Sequence, residues 1–186
     1  PPAGGAELVP AYVSLLVDFD PLATDHAAVA AAVMAALREP RAGAAAGALR
    51  EVLVCYDADL APDLAEVAAR TGLSEEAVIK AHLAGDYRVF MYGFAPGYAY
   101  LAGVPPAIRL DRKPAPRRGV PAGSMIIAGP QCMITTLTMP TGWWIIGRSP
   151  TRILTGEESR PFLFDVGDAV RFRRIGRAEF ARAQNG

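Results

Sequence analysis

Residues 123–146, which read GSMIIAGPQCMITTLTMPTGWWII, decide the fold of this chain. They contain three short apolar runs, each separated from the next by a turn that holds glycine or proline. Short runs with turn signals between them are typical of the strands of a barrel or a sandwich. The complete set of such runs covers residues 87–92, 123–128, 133–137, 143–146 and 169–174. The sequence therefore predicts a β-barrel or sandwich from Asp86 onward.

The part of the chain before Asp86 has a mixed α/β pattern. Its predicted elements are a strand at 12–19, an alanine-rich helix at about 24–37, a strand at 50–56, and helices at about 62–72 and 74–85. Thr24 and Ser74 are the N-cap candidates of the first and last of these helices. We predict an α+β protein with a small α/β domain (1–85), a β-barrel domain (86–176) and a C-terminal tail (177–186).

The last two of these helices resemble a DNA-binding helix-turn-helix, because small residues and Gly72 lie where one helix turns into the next. In that motif the N-terminal end of the second helix enters the major groove. Here that end carries Glu75 and Glu76, which a polyanion would repel. We interpret the pair as structural packing and expect no nucleic-acid partner.

Composition excludes several classes of protein. The chain has 186 residues, 52% hydrophobic and 20% charged, which is typical of a folded protein and not of a disordered one. No run reaches the roughly 18 apolar residues of a membrane span, and no secretory signal is visible, so we expect a cytoplasmic protein. Two cysteines and two histidines, widely scattered, predict buried thiols and no metal site.

The net charge of zero conceals a strong asymmetry along the chain. Residues 1–85 carry five basic and twelve acidic side chains, a net charge of −7, whereas residues 86–186 carry fourteen and seven, a net charge of +7. A basic module next to an acidic one favours an anionic ligand for the basic module.

Three segments of the basic module contain unusual residues. Residues 91–101 interleave two glycines with aromatic rings, residues 112–124 form a proline-stiffened basic loop, and residues 139–150 include Trp143 and Trp144. Residues 91–101 are as typical of a barrel corner as of a ligand site, the basic loop is more typical of a solvated edge loop than of an anion site, and the tryptophans are typical either of a pocket wall or of core. Because side chains alternate along a strand, only one of the two tryptophans faces a given site. The sequence contains no Walker A loop and no recognisable nucleophile with its base, so the catalytic residues stay unassigned.

Five groups of motifs in the chain resemble one known family, the allophanate hydrolase subunit 1 family. This family includes the B component of bacterial 5-oxoprolinase (PxpB) and the sporulation kinase inhibitor KipI, and is similar to half of the carboxyltransferase domain of urea carboxylase. The motifs lie at residues 87–101, 116–117, 120–124, 127–131 and 142–150. The resemblance implies a small α/β domain followed by a cyclophilin-like barrel. It also implies further sequence before Val9, so that the chain is truncated or divergent there.

The resemblance implies a function as well. It implies one subunit of an ATP-dependent amide hydrolase that converts 5-oxoproline to glutamate. Such a subunit is inactive alone and is completed by an allophanate hydrolase subunit 2 protein, the C component of 5-oxoprolinase. We expect no cofactor on this chain by itself, with ATP and magnesium bound by the complete enzyme. The alternatives are a KipI-like inhibitor of a histidine kinase and a carboxyltransferase-like component.

Six residues are predicted to bind the substrate of such an enzyme, a cyclic amide that carries a carboxylate. Arg148 and Arg118 are expected to bind the carboxylate and Gln131 the amide, while Phe94, Tyr98 and Trp143 form the walls. Where the family has an arginine before Val-Pro-Ala-Gly, this chain has Gly119, with Arg118 one place earlier. The aromatic segment 92–100 and the basic loop 112–118 are expected to face the partner protein.

Overall fold

The structure, a computed structural model, describes residues 6–39 and 47–185. The chain divides into two compact units, Pro1–Ala46 and Gly47–Gly186. In the first unit, strands β1 (Glu7–Pro10) and β2 (Leu15–Asp18) form an antiparallel hairpin, and helix α1 (His26–Arg38) follows. The N-cap of α1 is Asp25 and not Thr24, because the Asp25 carboxylate accepts a hydrogen bond of 2.8 Å from the backbone N–H of Ala28.

The second unit is built on a seven-stranded sheet. Along the chain its strands and helices are β3 (Leu49–Val54), α2 (Leu64–Thr71), α3 (Glu75–Leu83), β4 (Tyr87–Tyr92), β5 (Ala99–Ala102), β6 (Arg117–Val120), β7 (Ser124–Ala128), β8 (Gln131–Ile134), β9 (Met139–Thr141), β10 (Trp144–Arg148), β11 (Ala169–Arg174) and α4 (Arg177–Asn185). The strand order in the sheet is β10-β7-β8-β5-β4-β11-β3, and β6 pairs separately with β9. All neighbours are antiparallel except β11 and β3, which run parallel.

The two outer strands of this sheet meet and almost close it into a barrel. Cys55, directly after β3, exchanges two backbone hydrogen bonds with Arg148 at the end of β10, at 2.8 and 2.9 Å. Closure satisfies edge groups that would otherwise be free to pair with another chain. The predicted barrel is therefore confirmed, within a mixed α/β chain.

Alternation along the barrel strands gives the second unit two separate apolar clusters. In β7 the side chain of Ile127 joins the main core, while that of Ile126 joins a smaller cluster on the other face. Trp144 and Trp143 divide in the same way, as their neighbouring positions predict. Strands buried on both faces read as continuous apolar runs, which is why residues 123–146 are so hydrophobic.

The predicted helix pair packs on the barrel instead of projecting from it. α2 contacts β10, α3 contacts β11, and Val67 and Val78 are fully buried in the main core. Ser74 caps α3 as predicted, since its hydroxyl accepts a hydrogen bond from Ala77 N at 3.2 Å. The change in residue pattern after Gly85 predicts a domain boundary there, whereas the division between compact units in the structure falls after Ala46. The reason is that β3, α2 and α3 pack with the barrel strands.

The C-terminal segment 177–186, expected to be a loosely held tail, contains the helix α4. Phe180 on this helix is 4% exposed and packs against Cys55, Leu60 and Ile175. Burial of this aromatic ring, together with ion pairs from Arg177 to Asp59 and from Glu179 to Arg173, stabilises a short helix that the weak apolar pattern did not predict. In the part of the chain that the structure describes, no helix has both the length and the apolar character needed to cross a bilayer.

Candidate functional site

One cavity in the second unit is a cleft of about 230 Å³ between the β4–β5 connection and the segment 140–143. We call it the aromatic cleft. Its walls include four aromatic rings and three polar side chains, namely Phe94, Tyr98, Tyr100, Trp143, Arg112, Thr135 and Thr141. Three of the six predicted site residues, Phe94, Tyr98 and Trp143, therefore lie together. Tyr100 was not predicted, although it shares the strand face of Tyr98 two positions earlier.

A strained turn between β4 and β5 places two of these rings. Phe94 is the only described non-glycine residue with a positive φ, 72°, a conformation that costs about 1–3 kcal/mol. Its ring is 75% exposed and lies 5.7 Å from that of Tyr98. Gly97 follows at φ 73°, where a Cβ would lie only 2.7 Å from Leu154 Cδ2. Glycine is thus needed at position 97 both because of its positive φ and because a larger side chain would collide with Leu154.

The hydroxyl of Tyr98 is buried without a hydrogen-bond partner among the residues that the structure describes. The side chain is only 3% exposed, and leaving a buried hydroxyl unpaired costs about 1–3 kcal/mol. Burial, with a smaller contribution from Tyr100, raises the pKa of Tyr98 above its usual value of 10.0. The group is therefore a neutral phenol at physiological pH, and a molecule in the aromatic cleft could satisfy it.

Arg112 contributes a positive charge to the same cleft. Its guanidinium carbon lies 5.6 Å from the centroid of the Trp143 ring, within cation–π distance. The chain on either side is anchored, since Asp111 O accepts a 2.7 Å hydrogen bond from Trp144 Nε1 and Lys113 N donates to Gly142 O at 2.7 Å. These anchors hold the Arg112 backbone beside the segment between β9 and β10 that carries Trp143.

The other cations of the basic loop have different environments. Lys113 Nζ lies 2.6 Å from Asp63 Oδ2, and Arg117 Nη1 lies 3.6 Å from Asp63 Oδ1. Asp63 is 7% exposed and also accepts a 2.7 Å hydrogen bond from Ile145 N. This buried carboxylate ties the start of α2 to β10 and pairs with two of the loop's cations. Arg112 and Arg118 are both exposed, and neither forms an ion pair with any residue that the structure describes.

Arg148 lies in a second cavity, of about 210 Å³, which we call the arginine cleft. Arg117, Ser124 and Asp59 also line it. Arg148 Nε donates to Ala122 O at 3.3 Å, so the guanidinium is held near the loop that precedes β7. Arg148 is therefore separated from the predicted aromatic walls, which line the other cleft.

Gln131 and Arg118 are outside the residues that line either cleft. Gln131 begins β8, where it is paired with Ala102 and Ala128. The structure thus brings together the predicted walls but not the predicted polar groups. The cation and hydroxyl that it places in the aromatic cleft belong to Arg112 and Tyr98. For Arg112, the sequence signal was its place in a proline-stiffened basic loop, which does not say which cation of the loop lines the cleft.

A second buried polar group lies in the core, away from both clefts. His82, fully buried on α3, has its Nδ1 2.7 Å from Tyr56 Oη and its Nε2 3.7 Å from Cys132 Sγ. Burial lowers the pKa of His82 to about 3, so the imidazole is neutral. Burial also raises the pKa values of Tyr56 and Cys132. Both cysteines are free and buried, as predicted. In the described part of the chain, no three His, Cys, Asp or Glu residues are grouped to hold a metal.

Comparison with known proteins gives a consistent family. Residues 2–164 match the family described as carboxyltransferase domain, subdomain C and D. The chain is 42% identical over 130 residues to the B component of 5-oxoprolinase from Bacillus subtilis (strain 168), covering 70% of this chain and 54% of that protein. It spans about half the length of the curated relatives it matches.

Two solved structures resemble this chain, one in both sequence and fold and the other in fold alone. A conserved uncharacterized protein from Pyrococcus horikoshii superposes with a TM-score of 0.67 at 38% identity, covering 94% of this chain and 80% of that one. K. lactis urea amidolyase gives a TM-score of 0.74 at 15% identity, covering 96% of this chain and 13% of that one. At that identity the likeness shows a shared fold only.

Proposed function

This chain belongs to the carboxyltransferase domain family, subdomains C and D, and from that membership we propose that it acts as the B component of a 5-oxoprolinase. The observation that carries the proposal is the 42% identity to a protein of that name in Bacillus subtilis. In the proposed reaction, water adds across the C–N bond of the lactam of 5-oxoproline to give glutamate, driven by hydrolysis of ATP to ADP and phosphate.

The aromatic cleft supports a binding role for this chain. At about 230 Å³, it is smaller than the 300–1,000 Å³ typical of sites for drug-sized molecules, and it suits a single small ring. Its flat walls, one cation and one unpaired hydroxyl match a planar cyclic amide that carries a carboxylate. A nucleotide is much larger, so we place ATP, with its magnesium, in the complete enzyme and not in this cleft.

The residues around the aromatic cleft also suggest that the chemistry is completed elsewhere. Among the described residues that line it there is no histidine, cysteine or carboxylate, the groups that most often act as general bases or nucleophiles. We therefore propose that an allophanate hydrolase subunit 2 protein, the C component of a 5-oxoprolinase, supplies the missing groups. The chain alone is then inactive.

Reconstitution tests this proposal. The full-length protein is co-expressed with its partner proteins, and glutamate release from 5-oxoproline is measured with and without ATP and magnesium. We expect ATP-dependent glutamate release from the assembly and none from this chain alone. An intact assembly that releases no glutamate would contradict the proposal, and turnover by this chain alone would contradict the requirement for a partner.

A further inference from the structure

Two polar groups line the aromatic cleft without a hydrogen bond or ion pair to any residue that the structure describes: the buried hydroxyl of Tyr98 and the guanidinium of Arg112, which is an exposed residue. The hydroxyl of Tyr98 is buried and unpaired, although nearly all buried polar groups in proteins are hydrogen-bonded. The guanidinium of Arg112 lies over the Trp143 ring, whereas its neighbours Lys113 and Arg117 are paired with Asp63. Asp63 thus pairs with two cations of the loop, whereas Arg112 lines the same cleft as the Tyr98 hydroxyl.

We propose that the aromatic cleft is the site where this chain binds a small planar amide that carries a carboxylate. Arg112 pairs with the carboxylate, the Tyr98 hydroxyl hydrogen-bonds to the amide, and the Trp143 ring covers one face. The identity of the ligand as 5-oxoproline rests on the proposed function. The inference gives Arg112 and Tyr98 the roles that the sequence predicted for arginines and a glutamine outside this cleft.

Three further properties of the cleft support this assignment. The Tyr98 hydroxyl is protonated at neutral pH, as a phenol with the ordinary pKa of 10.0 already is, and can donate to a carbonyl oxygen; burial raises that pKa further. A guanidinium pairs with a carboxylate through two parallel hydrogen bonds, and stacking on an aromatic ring holds its plane for that contact. Trp143 is 5% exposed, so its ring is a fixed wall and not a mobile surface group.

Calorimetry on the full-length chain tests the inference with two probes, 5-oxoproline and 2-pyrrolidinone, which is the same ring without the carboxylate. We expect Arg112→Gln to weaken binding of 5-oxoproline roughly ten- to a hundredfold, the usual loss for a charge-assisted pair, and to change 2-pyrrolidinone by less than about twofold. Tyr98→Phe should weaken both probes by about five- to tenfold. Arg148→Gln, in the arginine cleft, is the matched control and should change neither.

The two variants also separate binding from folding. Because Tyr98 Oη has no partner among the described residues, Tyr98→Phe should leave the melting temperature unchanged or raise it. Normal 5-oxoproline binding by both Arg112→Gln and Tyr98→Phe would overturn the inference, as would a loss confined to Arg148→Gln. No binding by the wild-type chain at millimolar 5-oxoproline would also overturn it.

Turnover distinguishes a failure of this inference from a failure of the proposed function. If the wild-type assembly releases glutamate and both variants bind 5-oxoproline normally, the function stands and the site assignment falls. If binding depends on Arg112 and Tyr98 but the intact assembly releases no glutamate, the site stands and the 5-oxoprolinase function falls.

Discussion

Acidification should destabilise this protein in part through one buried histidine. The His82 imidazole is enclosed by Tyr56, Cys132, Tyr87 and the ring of Phe172, whose centroid lies 4.7 Å away. Because burial lowers its pKa from 6.5 to about 3, the folded state stays neutral at pH values where the unfolded chain binds a proton. The unfolded state therefore becomes more favourable as the pH falls below 6.5, and the free energy of unfolding decreases down to about pH 3.

The size of this effect follows from linkage. Each unit of pH between the two pKa values costs about 1.4 kcal/mol, so from pH 7 to pH 4 the loss through His82 is about 3 kcal/mol. We expect His82→Gln, whose amide can still meet the Tyr56 hydroxyl, to be less stable at pH 7. Its further loss between pH 7 and pH 4 should nevertheless be about 3 kcal/mol smaller than that of the wild type.

Urea unfolding at pH 7, 6, 5 and 4 measures this difference. Tryptophan fluorescence is a suitable signal, since both tryptophans, Trp143 and Trp144, lie in the same compact unit as His82. His26→Gln, which removes an exposed histidine from the other unit, is the matched control and should retain the wild-type acid sensitivity. Equal losses of stability for wild type and His82→Gln would refute the reasoning that a neutral, buried imidazole resists protonation.

Three further changes test other parts of the fold. Asp168→Asn should lower the free energy of unfolding by roughly 3 kcal/mol at pH 7, because this carboxylate, only 2% exposed, accepts hydrogen bonds from Arg50 and from two backbone N–H groups. The control is Asp165→Asn, which changes an exposed carboxylate and should cost less than about 1 kcal/mol. Urea unfolding measures both changes. Burial opposes ionisation of Asp168, but these hydrogen bonds outweigh it and lower its pKa below 3.8, so its contribution should persist until the pH falls below that value. Gly97→Ala should lower the melting temperature by several degrees, since φ is 73° and a Cβ would lie 2.7 Å from a leucine methyl; an unchanged value would show that the turn relaxes freely. Phe180→Ala should cost about 3 kcal/mol and increase hydrogen exchange in α4, and a neutral result would mean that the helix is not held by its ring.

Much of the local structure could be predicted because it depends on neighbours in the chain. Ser74 caps α3 through an atom three residues away, and Trp143 and Trp144 face opposite sides because successive side chains of a strand alternate. Even here, competition between nearby caps was not resolved, since Asp25 and not Thr24 accepts the capping hydrogen bond. A carboxylate and a hydroxyl one residue apart offer the same type of cap, and only the path of the backbone selects between them.

The candidate site was predictable only in part, for the same reason. Phe94 and Tyr98 come from one short segment rich in glycine, so their proximity is local and visible in sequence. The environment of the basic loop, by contrast, depends on a distant residue, because the carboxylate of Asp63 binds Lys113, 50 positions later in the chain. No pattern within the basic loop itself distinguishes Arg112 from its neighbours.

By itself, the sequence determined most strands of the barrel, but not β5, and it determined the alternation of faces along them and the helix pair, because these depend on alternation, capping and turn residues close together in the chain. The tertiary structure alone decided how the barrel closes. β3 pairs in parallel with β11 more than a hundred residues later, and Cys55 meets Arg148 across the remaining gap. Backbone hydrogen bonds are the same whatever the side chains, so such distant pairings depend on how all the apolar faces pack together. The same packing decides which cation lines the aromatic cleft.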